Sequence, residues 1–155
     1  MKSRLIASLA LGAAIAIGTT GCAFITPIST TVPYSPGDGM SVPDTSGPLV
    51  VRNALVVATE DGSEGNLVAA IVNETDETQT LTLGIGEDGT TKRVRVPAHT
   101  MLSLGAEGNA PLPLQNLDTL PGQTVPITFQ SGEGTGATVM IPVLSAEGDY
   151  RLLEP

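Results

Sequence analysis

Two places in this 155-residue chain hold side chains with distinctive chemistry: Gly21-Cys22 near the start, and His99-Thr100-Met101 in the second half. Cys22 is the single thiol and His99 the single imidazole. Imidazole and thioether are soft donors suited to Cu(I), and Met40 and Met140 could add further sulfur. The plainer alternative is that His99 is a surface residue at a strand start and that Met101 and Met140 fill the core. One Cys excludes an internal disulfide. One Cys and one His together fall short of the three or four ligands of an ordinary zinc site, so no metal cofactor is expected.

Enzymatic chemistry finds little footing. A nucleophile needs a base beside it, and no nucleophile-elbow pattern accompanies His99. The 16 Asp and Glu allow many carboxylate pairings. Most lie in turn-like segments, where acidic side chains are simply solvated. Gly84-Ile85-Gly86-Glu87-Asp88-Gly89 spells G-x-G-x-x-G, but a dinucleotide loop must open a helix whose N-terminus receives pyrophosphate. A strand pattern follows instead, so the segment reads as a hairpin with Asp88-Gly89 at its turn. Gly132 to Gly136 reads as a second hairpin. Asn73-Glu74-Thr75 matches a glycosylation sequon. The net charge is −9, with two Phe, two Tyr and no Trp. Such a chain repels phosphate and cannot stack bases, which excludes nucleic acid as a partner.

The elements that must carry these residues are short apolar runs bounded by turn residues. They are Leu49 to Ala58, Asn66 to Asn73, Thr78 to Ile85, Lys92 to Val96, Thr100 to Leu104, Leu112 to Leu114, Thr124 to Gln130 and Ala137 to Leu144. Leu81, Leu83 and Ile85 alternate with Thr80, Thr82 and Gly84, the period of a half-buried strand. Arg93 and Arg95 take the wet face of their strand. Leu67 to Val72 is Ala-rich but too short and uncapped for a helix. Eight strands with turn signals about every ten residues predict an all-β fold, a sandwich or barrel. Pro126 and Pro142 belong at edges or bulges, because Pro cannot donate to a ladder. Alternation puts Met140 with Thr138 and Pro142, opposite Val139, Ile141 and Val143.

The N-terminus supplies an address. Lys2 and Arg4 precede an uncharged run of fourteen residues, Leu5 to Gly18, and then Thr19-Thr20-Gly21-Cys22. This is the build of a secretory signal peptide, and the run is shorter than the roughly 20 residues of a spanning helix. The four closing residues resemble a bacterial lipobox, with Thr19 where Leu, Val or Ile is commoner. The expectation is a signal peptide over 1–21 and a diacylated Cys22 that becomes the mature N-terminus. Loss of Lys2 and Arg4 leaves five basic against sixteen acidic residues, a net of −11. Lipid on Cys22, not charge, would then hold the protein at the outer face of the cell membrane. Residues 23–48 contain five Pro and three Gly and show no helix or strand period. They read as an extended flexible linker, with the domain starting near Leu49 and running to 155.

Several segments of that domain carry a resemblance. They are Val51 to Ala54, Leu67 to Asn73 with the polar turn Glu74 to Glu77, Val96 to Ala98, Leu114 to Leu117, Leu120 to Phe129 and Ile141 to Val143. In order and spacing they resemble periplasmic copper chaperones of the PCu(A)C type, and more nearly the actinobacterial lipoproteins of the LpqE kind. The resemblance covers about 100 residues and implies a Greek-key β-sandwich, cupredoxin-like or Ig-like. Those chaperones hold copper with two His and two Met. Their closing H-x-M aligns with Pro111 and Pro113, and their opening pair with Gly84 to Arg95, which contains neither His nor Met. The resemblance therefore implies a fold without its copper ligands. The expected function is a membrane-anchored, non-catalytic binding or assembly module for an envelope protein or ligand. The alternative is a copper(I) chaperone with a relocated site at His99 and Met101. A cell-envelope enzyme stands third.

Overall fold

A computed structural model describes residues 37–86, 89–106 and 108–155. The stretch read as a signal peptide, Cys22 and the segment read as a linker as far as residue 36 lie outside the described residues. The rest is all-β. Eight strands follow in chain order: β1 Leu49–Ala58, β2 Glu64–Asn73, β3 Gln79–Ile85, β4 Thr90–Val96, β5 Thr100–Leu104, β6 Leu112–Gln115, β7 Thr124–Ser131 and β8 Ala137–Ser145. Each falls on one of the eight apolar runs, because the period-2 pattern that buries one face is a local property of the sequence.

The strands are ordered β4-β3-β7-β8-β1-β2-β5, with β6 also on β2. They form two layers that share β8. Residues 137–142 of β8 pair antiparallel with β7, and Val143 to Ser145 pair parallel with Val56 to Ala58 of β1. The changeover falls at Pro142. The Val143 N–H donates to the Gln123 carbonyl at 2.9 Å. Alternation then turns the Pro142 nitrogen to the other edge, where β1 has not yet begun to pair. Pro142 is thus an edge proline, as expected. Pro126 is different, because β7 lies inside the sheet between β3 and β8. It is tolerated because β3 runs out beside it: the last pair is Ile85 with Ile127, and the Gly86 N–H donates one way to the Pro126 carbonyl at 2.9 Å.

The two layers face one another across a single apolar cluster. Leu81, Leu83, Ile127 and Phe129 come from one side, and Leu49, Val51, Leu67 and Ile71 from the other. Phe129 is fully buried. A bulge at Asn53, where φ is +52°, reverses the alternation of β1. Val51 points inward before it and Ala54 and Val56 after it. Leu55 and Val57 are thereby turned to the outer face, yet both are buried. The C-terminal 3-10 turn Gly148–Leu153 lies on that face, tied by an Asn66 side-chain N–H to the Leu153 carbonyl at 3.0 Å.

Part of the segment assigned to the linker is packed. Met40 and Ala54 exchange two backbone hydrogen bonds of 2.8 Å, and Val42 N–H donates to the Val51 carbonyl at 3.1 Å. Val42 is buried, and Arg52 donates to its carbonyl at 3.1 Å. These residues fill the edge of β1 that β8 leaves open, a need invisible to a composition-based reading. Both Gly-rich segments are hairpin connections, β3 to β4 and β7 to β8, with Gly86, Gly89, Gly132 and Gly136 all at positive φ. The strand after Gly89 leaves no helix N-terminus for a phosphate.

Candidate functional site

His99 sits in the turn from β4 to β5 and Met101 is the second residue of β5. The turn is shaped by Asn73, the last residue of β2. Its carboxamide N–H groups lie 2.8, 3.0 and 3.0 Å from the carbonyls of Glu77, Val96 and Pro97, and its Oδ1 accepts from the Thr75 N–H and hydroxyl. One buried side chain thus clips the β2–β3 turn to the β4–β5 turn. The His99 N–H completes the clip on the Thr75 carbonyl at 3.3 Å, and His99 takes a left-handed φ of +52°. The sequon reading of Asn73 fails on this geometry, since the amide is 1% exposed.

With the two turns clipped, His99 Nε2 meets Asp76 Oδ1 at 2.9 Å. Both side chains are open to water, at 64% and 97% exposure, so this contact contributes little to stability. His99, Met101 and Glu74 line one shallow hollow with Val72, Asn73 and Thr100. The imidazole and thioether of the H-x-M spelling are therefore brought together. Met101 is 56% exposed, and not core filler. Met140 is also exposed, on the face expected from alternation. It lines a different groove, with Ile85, Gly86, Gln115 to Thr119 and Pro126. Met40 pairs with Ala54. The structure brings together His99 and Met101 but does not gather the other two thioethers around them. Among the described residues no group of three or more His, Cys, Asp or Glu is placed to hold a metal ion. Pro113 is exposed on β6 opposite Asn66, and neither it nor Pro111 has a donor side chain.

The groove beside Met140 was not foreseen. Its loop holds Asn116 and Asp118 at φ of +55° and +49°. The Leu117 and Thr119 N–H groups between and after them bind Ser63 and Gly62 carbonyls at 3.0 and 3.1 Å. Asn and Asp tolerate this region better than other side-chain-bearing residues, which was the only signal in the sequence.

Two further groups are electrostatically distinctive. Asp61 accepts from the Thr59 hydroxyl at 2.6 Å, and from the Ser63 N–H and hydroxyl at 3.1 and 2.8 Å. These donors hold its pKa down at about 2, the Thr59 hydroxyl most of all. Tyr150 donates its hydroxyl to Asp38, and this bond, with some burial, pushes its pKa up to about 12. The first stabilises a local turn, and the second joins the C-terminal 3-10 turn to a segment 112 residues away. All described Asp and Glu side chains are exposed.

No family model and no curated protein matches the chain. Solved structures do. The apo PCuAC domain of PmoF2 is 13% identical, with a TM-score of 0.52, over 70% of this chain and 98% of that one. The copper-bound PCuAC domain from PmoF2 (14% identical, TM-score 0.49, 69% and 97% covered) and the apo PCuAC domain from PmoF1 (16%, 0.48, 69% and 98%) are also similar. At these identities the likeness concerns the fold alone. In fold, the described chain is a PCuAC-like β-sandwich.

Proposed function

We propose that the protein is a lipoprotein, anchored through Cys22 at the outer face of the cell membrane, whose β-sandwich is a non-catalytic binding or assembly module. The observation that carries this reading is the division between interior and surface. The interior is apolar, and of its four described polar residues, Ser46, Asn66, Asn73 and Ser131, the last three have side chains engaged with backbone groups. Every described carboxylate is in solvent. Catalytic acids and bases commonly draw shifted pKa values from burial, which no described carboxylate has, and the ion pairs Asp76–His99 and Asp44–Arg52 lie open to solvent. The anchor rests on the Gly21-Cys22 sequence signal. Two acyl chains supply enough buried CH₂ for stable attachment.

The test is made on the intact chain in its own membrane. Wild type should incorporate labelled palmitate and fractionate with membranes, and chemical cross-linking there should recover a protein or ligand partner. Cys22→Ala should lose the label and leave the membrane or remain uncut. Normal cleavage with unchanged membrane retention in Cys22→Ala would overturn the anchor. Turnover of an envelope substrate by the purified chain would overturn the non-catalytic reading.

One observation favours the second reading, a copper(I) chaperone with a relocated site: His99 and Met101 share a hollow. Two adjacent soft donors are fewer than such a site ordinarily uses.

A further inference from the structure

The basic residues are unevenly placed. Of the five in residues 22–155, three fall in β4: Lys92, Arg93 and Arg95. Arg93 and Arg95 are exposed and make no ion pair with any described residue. They occupy the outer face of the sheet, where pairing sets Arg93 beside Thr82 and Gln130, and Arg95 beside Thr80. None of the outward strand residues of β3, β4, β7 and β8 is Asp or Glu. In a chain of net −11 beyond residue 21, the described residues of this face combine two exposed guanidinium groups with neutral hydrogen-bonding side chains.

β4 is also the last strand of its sheet. The Gly86 N–H points to β7, so the even-numbered residues of β3 face β7 and the odd-numbered ones face β4. Through the pairs Leu81–Val94 and Leu83–Lys92, the even-numbered residues of β4 face β3. The backbone N–H and C=O groups of Thr91, Arg93 and Arg95 therefore project from the open edge. One edge thus offers a row of backbone donors and acceptors with a guanidinium above every second residue.

We propose that the β4 edge is a docking site for an extended acidic segment of a partner protein. The segment adds as a strand, its carboxylates two residues apart and opposite Arg93 and Arg95. This names a surface and a partner class for the binding module of the preceding section and rests on that reading. Charge complementarity selects the occupant. Opposite charges directly across a strand pair stabilise it, and like charges destabilise it. A second copy joined β4 to β4 would set Arg against Arg, and the other exposed edges, β5 and β6, contain no acidic residue. Charged edge strands ordinarily block edge pairing. Here the block is selective, because an acidic strand turns the same charges into attraction. Strand addition supplies affinity from the backbone and specificity from alternate side chains.

The test uses the intact chain in detergent and a labelled peptide of about eight residues alternating Glu and Val. The peptide should bind, more weakly at higher salt, and its Lys-for-Glu counterpart should not. Arg93→Gln/Arg95→Gln, which keeps a polar edge, should lower affinity about tenfold, and Arg93→Glu/Arg95→Glu should reverse the preference between the peptides. Methylating alternate backbone nitrogens of the Glu peptide removes its edge donors without changing charge, and should abolish binding. Equal binding of the methylated peptide, or unchanged binding by both double variants, would overturn the proposal. So would binding to vesicles of anionic lipid in place of the peptide. Recovery of a membrane partner that ignores the Arg variants would dismiss this edge and leave the anchored-module reading standing.

Discussion

The side-chain amide of Asn73, at the end of β2, lies 3.0 Å from the Val96 carbonyl at the end of β4, although the two strands belong to opposite layers of the sandwich. The same amide reaches the Glu77 and Pro97 carbonyls. It closes the end of the sandwich where His99, Asp76 and Met101 stand.

Asn73→Ala should therefore destabilise the domain by about 2–3 kcal/mol, because buried carbonyls lose their donor. Asn73→Asp should be no better, since a carboxylate would face carbonyl oxygens. Urea unfolding checks both. Loss below about 0.5 kcal/mol for either variant would show that the clip is not structural.

Copper behaviour separates the two functional readings. His99 Nε2 is occupied by Asp76, and Met101 is the one other soft donor among the residues lining its hollow. Under a competing chelator the intact chain should show no stoichiometric Cu(I) binding, and His99→Ala should behave as wild type. Tight one-to-one binding lost in His99→Ala or Met101→Ala would put the chaperone reading first.

Truncation should expose the role of Val42. A chain beginning at residue 37 should keep its melting temperature, whereas one beginning at 49 should melt lower. The second loses the paired Met40–Ala54 bridge and a buried Val worth about 1.5–3 kcal/mol when fully covered. Equal melting temperatures would place the domain boundary at Leu49 after all.

Two titrations have defined signs. Tyr150, at about 12, is raised, so its bond to Asp38 stabilises the fold below pH 10 and is lost as pH rises toward 12. Ultraviolet titration should show a late phenol that vanishes in Tyr150→Phe and moves back toward 10 in Asp38→Ala. Asp61, at about 2, is lowered, so its contribution is complete above its ordinary value of 3.8 and is lost as pH falls to about 2. Carboxyl NMR in Thr59→Val should show Asp61 rising toward 3.8, and an unmoved value would count against the Thr59 hydroxyl as main cause.

Core truncation gives the last prediction. Phe129 is fully enclosed between the layers, and Phe129→Ala should cost about 3–5 kcal/mol in urea unfolding. A loss under about 1 kcal/mol would show that its surroundings collapse freely into the space.

All eight strands were legible in the sequence by itself, because alternation and turn chemistry act over a few neighbouring residues. The exposure of Met140 followed from the same alternation, and the two hairpins from Gly positions. The all-β class and the absence of a helix after Gly89 were equally local. Relations between distant residues needed the tertiary structure. The bulge at Asn53 turns Leu55 and Val57 to the outer face, yet both are buried there, on the face where the chain's C-terminal turn returns to Asn66. Val42 is buried because β8 leaves part of the β1 edge open. Asp76 meets His99 across 23 residues because Asn73 fastens two turns together. Arg93 and Arg95 become one cationic edge only once β4 proves to be the outermost strand. Periodicity tells each residue which face it takes. Which strands are neighbours, and which edge is left open, is set by long-range packing that no local pattern encodes.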